Sequence, residues 1–139
     1  SLLHNYHATK ENIRNSSMKV AEKSVTVQTI TLDEFCEQNR VKPDFVKIDI
    51  EGAENLAIEG SKATIRTHKP AFMVEITENA GQILSYFEEC GYLAFSDKGR
   101  RILDGEVCGN TFFLHETKHK HHIVDDRLRV PPDIIRYST

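Results

Sequence analysis

Four acids stand where two apolar runs end, and they are the side chains of this sequence best placed for chemistry. Asp49 and Glu51 close the run Asp44-Phe-Val-Lys-Ile-Asp-Ile50, and Glu75 and Glu78 close the run that begins at Ala71. A carboxylate takes up protons and accepts several hydrogen bonds. Ligands of open α/β sheets collect outside the carboxyl ends of the strands, where loops and helix amino termini converge. The four acids therefore predict a cleft lined by carboxylates. Side chains alternate along a strand, so Asp49 and Ile48 point to opposite faces, and Asp49 at the strand's mouth need not be buried. His115 and His119 have helical spacing near Cys108, but His115 ends an apolar run and the following histidines lie in the basic stretch Lys118 to His122. That stretch predicts a solvated segment with no more than adventitious metal binding.

The elements that must position these acids can be read from periodicity. Val25 to Ile30 alternates β-branched residues and predicts a strand; Thr31-Leu-Asp-Glu34 is a capping box that opens a short helix through Cys36. The β-branched run from Asp44 to Ile50 predicts a parallel-sheet strand covered on both faces. Glu51-Gly-Ala-Glu54 leads into a helix containing Leu56, Ala57 and Ile58, with Gly60 placed to close it in a left-handed cap. Pro70 introduces a second central strand, Ala71 to Ile76. From Asn79 to Cys90, Ile83, Leu84 and Phe87 share one helical face, and Gly91 ends the helix. Tyr92 to Phe95 and Thr111 to Leu114 read as further strands around a turn at Asp97 to Gly99. The order predicts an α/β fold: a mostly parallel sheet with flanking helices and an antiparallel edge at its carboxyl-terminal end. The aromatic residues Tyr86, Phe87, Tyr92, Phe95, Phe112 and Phe113 fit its core and faces.

Three regions follow: a polar arm over residues 1–24, the α/β portion over 25–116, and an exposed charged tail over 117–139 with Pro131 and Pro132. The 139 residues suffice for one core, and the 39% hydrophobic and 28% charged composition is that of a globular chain. A formal net charge of -3 gives no broad attraction to nucleic acid or anionic lipid, so neither is expected as a partner. With no apolar run of bilayer length and no secretory leader pattern, the expected location is the cytoplasm. Cys36, Cys90 and Cys108 are odd in number and widely spaced, which predicts reduced thiols.

The octet Lys47-Ile-Asp-Ile-Glu-Gly-Ala-Glu54 resembles the signature run of FkbM-type methyltransferases. Thr29-Ile-Thr-Leu-Asp33, the Pro70-to-Glu75 strand and Asn110-Thr-Phe-Phe-Leu-His115 are similar to family segments in the same order, so the likeness spans Val25 to His115. The resemblance implies a class I, Rossmann-like methyltransferase sheet and an S-adenosylmethionine-dependent transfer of a methyl group to a hydroxyl of a small molecule or sugar. The octet would form that sheet's fourth strand and the turn after it, beside the donor's methyl. Asp49 is then the first candidate for contact with the donor or acceptor. Glu51 and Glu75 are candidates for acceptor binding, for the general base that a hydroxyl acceptor needs, or for ligands of a divalent metal, although no metal site is assigned.

The family's donor site opens with a glycine-rich turn, and here no glycine precedes Gly52. The expectation is therefore the carboxyl-terminal portion of such a domain, whose loss of early strands would leave a sheet edge to pair with a second copy. The alternative is a non-catalytic α/β interaction module that has lost donor binding. Plainer roles compete residue by residue: Asp49 could cap the next helix, Glu51 and Glu54 could serve its first turn for roughly 0.3–1 kcal/mol, Gly52 could be only a tight turn, and Asp33 belongs to the first turn of its own helix.

Overall fold

The computed structural model describes residues 26–103 and 109–129. Contacts divide the chain into two compact units, Ser1–Ile30 and Thr31–Thr139, and the helices and strands described belong to the second. Residues 26–30 are exposed and form no strand, unlike the expectation for Val25 to Ile30. A β-branched sequence is not sufficient for a strand, which needs a neighbour for its backbone groups, and no described residue pairs with this segment. Val25 itself, the expected arm over 1–24, Cys108, Pro131 and Pro132 lie outside the described residues.

Thr31 opens α1 (Leu32–Asn39) with the predicted capping box: the Glu34 amide donates to the Thr31 hydroxyl, and the Thr31 amide donates to the Glu34 carboxylate at 3.1 Å. Strand β1 (Phe45–Ile48) follows, then α2 (Glu54–Glu59), α3 (Lys62–His68) and β2 (Ala71–Ile76). Gly60 stands between the two helices with φ −76°, so it is not the left-handed cap expected of it. Its small size serves instead, since a β-carbon there would lie 3.0 Å from the Thr31 side chain. The left-handed cap falls nine residues later, at Lys69. Asp33, expected to serve its own helix, caps α3: its carboxylate accepts from the amides of Ala63 at 2.9 Å and Thr64 at 2.7 Å. These are orphan donors of the first turn of α3, which the side chain of Ser61 leaves unsatisfied.

Helix α4 (Ala80–Glu89) and strands β3 (Tyr92–Ser96) and β4 (Gly109–His115) complete a four-stranded sheet of order β1-β2-β4-β3. β1 and β2 are parallel, with Ile48 opposite Val74; β4 pairs antiparallel with both β2 and β3. The sheet is thus mixed. β1, β2 and β3 run the same way, as a mostly parallel sheet requires, but the reversed strand is interior and not an edge, so only one of the pairings is parallel. The outer side of β3 is taken by the chain's own return, where Ser96 donates to Arg100 and Ile102 to Ala94.

One face of the sheet carries the core. Ile48, Phe72, Val74, Ile76, Tyr92 and Phe113 meet Ile58 of α2, Ile65 of α3 and Ile83 and Phe87 of α4. Phe87 stacks on Phe113 with ring centres 4.0 Å apart, and the buried Tyr92 hydroxyl donates to the Pro70 carbonyl at 2.9 Å. Cys36 is a buried free thiol and Cys90 a half-buried one. Contrary to the expectation for the first central strand, β1 is not covered on both faces: Phe45 is 55% exposed and Lys47 is exposed, while Ile48 is buried. The described helices that contribute to this core gather on one side, and that leaves the odd-numbered residues of β1 facing away from it.

Of the expected tail over 117–139, residues 117–129 are described and, apart from the buried His119, stay exposed or half-buried. A turn leads to a single 3-10 turn (Lys120–His122) and a hairpin of β5 (Ile123–Val124) and β6 (Arg127–Leu128). His119, 8% exposed, accepts through Nδ1 from the His115 amide at 2.9 Å. The spacing of the two histidines is therefore meaningful, as a backbone clasp.

Candidate functional site

The predicted carboxylates meet where β1 and β2 end. The parallel register sets Ile48 beside Val74, so the next residues, Asp49 and Glu75, fall side by side on the face turned away from the core. Their carboxyl groups are close enough to perturb each other's acidity. Lys47, two residues before Asp49 and hence on the same side, donates from Nζ to Asp49 Oδ2 at 2.7 Å. Asp49 remains 35% exposed and Lys47 53%, so ligand and solvent can reach both.

The chain turns sharply after Asp49. Glu51 has φ 53° and Gly52 φ 93°, two successive residues in the left-handed region. Gly52 is required by this conformation and not by crowding, since a β-carbon would meet nothing within 4 Å. Glu51, exposed, holds its φ against the preference of an L-residue. What fixes the turn is Glu54, only 2% exposed: one carboxylate oxygen accepts from the Gly52 amide at 3.0 Å and the other from the Thr77 hydroxyl at 3.3 Å. Glu54 thus joins the ends of β1 and β2, a structural role deeper than the helix first turn expected for it.

Asp49 and Glu75 differ electrostatically. The hydrogen bond from Lys47, the neighbouring Glu75 carboxyl and the Lys47 charge hold the Asp49 carboxyl below the ordinary aspartate range. Glu75 is pushed above the ordinary glutamate range by the neighbouring Asp49 carboxyl and its negative charge, then by partial burial and by the charge of Glu51, with Lys47 acting weakly in the other direction. Two like groups side by side separate in this way because both cannot ionise freely. Glu78 is exposed and outside this network.

Lys47 is the member of the site that the sequence reading passed over, although its two-residue spacing from Asp49 was the available signal. The histidines do not belong here. Asn110 pairs with Glu75 at one end of β4 and His115 ends the same strand, a separation of about 16 Å at strand rise. Among the described residues no group of three or more His, Cys, Asp or Glu side chains could hold a metal ion.

Residues 2–94 match the methyltransferase FkbM domain, more than half of the chain. The chain belongs to the FkbM methyltransferase family. The match corrects the extent of the likeness read from motifs: it begins at Leu2, inside the stretch taken for an arm, and ends before Asn110 to His115. It lies in the amino-terminal part of this sequence, so the FkbM likeness is not confined to a carboxyl-terminal portion beginning at Val25. No curated protein and no solved structure matches the chain. No helix among the described residues is long and apolar enough to cross a membrane. In this FkbM domain the octet supplies Lys47, Asp49, Glu51 and Glu54 to a single strand-to-turn corner.

Proposed function

We propose that this chain takes part in S-adenosylmethionine-dependent O-methylation of a hydroxyl on a small molecule or sugar, with Asp49 and Glu75 at the reacting centre. The observation that carries the reading is the pair itself: two carboxyl groups set side by side by the parallel register, of unequal acidity, at the open ends of parallel strands in a methyltransferase-family domain. S-adenosylmethionine supplies an electrophilic methyl group on a positively charged sulfur when bound. A mouth carrying Asp49, Glu75 and the nearby Glu51 fits a positively charged donor, since opposite charges across a partly desolvated site attract. Asp49, kept anionic, is the residue to face the donor.

Glu75 is the better base because its affinity for a proton is raised, and a base works best as its pKa moves toward the working pH. It accepts the proton of the acceptor hydroxyl as the oxygen forms its bond to the methyl carbon and the carbon–sulfur bond breaks. The bonding electrons leave with sulfur, which becomes neutral. Two carboxylates given different roles by their surroundings is a recurrent arrangement for acid–base work. Methyl transfer otherwise needs alignment, which the Glu54-pinned corner supplies.

The reading is tested by the thermal unfolding midpoint with and without S-adenosylhomocysteine, for the wild-type chain and for Asp49→Asn. A ligand held only by the native state at about 100 times its Kd adds about 2.7 kcal/mol of stability. A clear rise for the wild type and a smaller one for Asp49→Asn is the expected result. The reading fails if both midpoints stay where they are.

A further inference from the structure

Lys47 makes its ion pair with only one member of the carboxyl pair. Its ammonium lies 2.7 Å from Asp49 Oδ2, and among the described residues no ion pair joins it to Glu75. Among the described residues, the charged groups that act on the pair are Lys47 beside Asp49, Glu75 across the register on β2, and Glu51 on the left-handed turn. Asn110, opposite Glu75 on β4, carries no charge. Among the described residues, Lys47 is thus a cation placed off-centre among three acids. Without it, Asp49 and Glu75 would be two similar acids competing for one proton, and either could hold it.

From this geometry we infer that Lys47 is a positioning residue that holds Asp49 as the permanent anion and so leaves proton uptake to Glu75. The inference rests on the reading of the site as a methyl-transfer centre, and adds to it what divides the labour between the acids. Lys47 need not touch donor or acceptor; it acts through Asp49. Its exposure matters too, because a solvated ammonium can be replaced without opening the core.

The experiment is a carbon-13 NMR titration of the Asp49 and Glu75 carboxyl carbons in the wild-type chain, Lys47→Met, Lys47→Arg and Asp49→Asn, with the pH profile of methyl transfer recorded alongside. Removing the cation from Lys47 takes a favourable neighbour from both ionised carboxylates, and most from Asp49. In Lys47→Met the lower of the two midpoints should therefore move up and approach the higher one. Lys47→Arg should restore the gap. Asp49→Asn, which removes the negative neighbour, should lower the Glu75 midpoint. The acid limb of kcat/KM should move to higher pH in Lys47→Met, with a larger loss of turnover at low pH than at high pH, and return with Lys47→Arg. Unchanged carboxyl midpoints in Lys47→Met would overturn the inference. Shifted midpoints in a chain that transfers no methyl group would uphold the role of Lys47 and count against the proposed reaction instead.

Discussion

Glu75 stands out at the residue scale because its neighbours, not its own chemistry, make it a base. A glutamate alone in water gives up its proton too easily to recover one from a hydroxyl, and here Asp49 and Glu51 oppose its ionisation. Glu75→Gln keeps the shape and hydrogen-bonding reach of the side chain but cannot take a proton. It should lower kcat/KM roughly 10²- to 10⁴-fold, the usual worth of a positioned base, while the S-adenosylhomocysteine-induced rise in the unfolding midpoint stays near that of the wild type. Activity within a few-fold of wild type would remove Glu75 from that role. Asp49 should show the converse, with donor binding impaired, so comparing the two variants separates donor contact from proton transfer. The presence of acids in the site was legible in the sequence, since Asp49 and Glu75 each end an apolar run. Their unequal acidity was not, because it depends on the β1–β2 register and on which of them Lys47 reaches.

Element by element, the helices depend on side chains from elsewhere in the chain. Helix α3 has two first-turn amides held by Asp33, some thirty residues earlier. Asp33→Ala should cost about 0.5–2 kcal/mol, the range for loss of a helix cap, read as a lower urea midpoint with an unchanged slope. A change below the error of the measurement would mean that water replaces the cap without loss. The capping box at Thr31 and the amphipathic face of α4 could be read directly, because both are local patterns. The crossed cap of Asp33 could not, because nothing in a local pattern says that one helix's first turn lies against another's. Gly60 teaches the same lesson: its position after a helix suggested a left-handed cap, whereas its close approach to Thr31 is what the fold demands.

For the molecule as a whole, His119 links folding to acidity. Burial, and then the nearby Lys118, bring its pKa down from an ordinary 6.5 to about 4, and its Nδ1 must stay unprotonated to accept from the His115 amide. The unfolded chain therefore binds a proton at a pH where the native chain does not. The contribution of His119 is fully present above about pH 6.5 and is lost as the pH falls from there toward 4. Urea midpoints measured across that interval should fall with pH, and His119→Gln, which retains an acceptor but cannot titrate, should flatten the fall. An equally steep decline in the variant would assign the acid sensitivity to other groups.

By itself, the sequence determined the α/β class, the extents of α4, β2 and β3, the acids at the strand mouths and the family-like octet, because each is written in neighbouring residues or in a short period, whereas α3 and the β5–β6 hairpin were not expected from it. Tertiary structure alone decided that β4 enters between β2 and β3, that the described helices of the core gather on one face, and that Asp33, Glu54 and His119 serve distant backbone or distant turns. It also decided that one lysine touches one of two acids. These are consequences of strand order, register and packing, in which residues far apart in the chain become neighbours, and a linear pattern carries no term for such proximity.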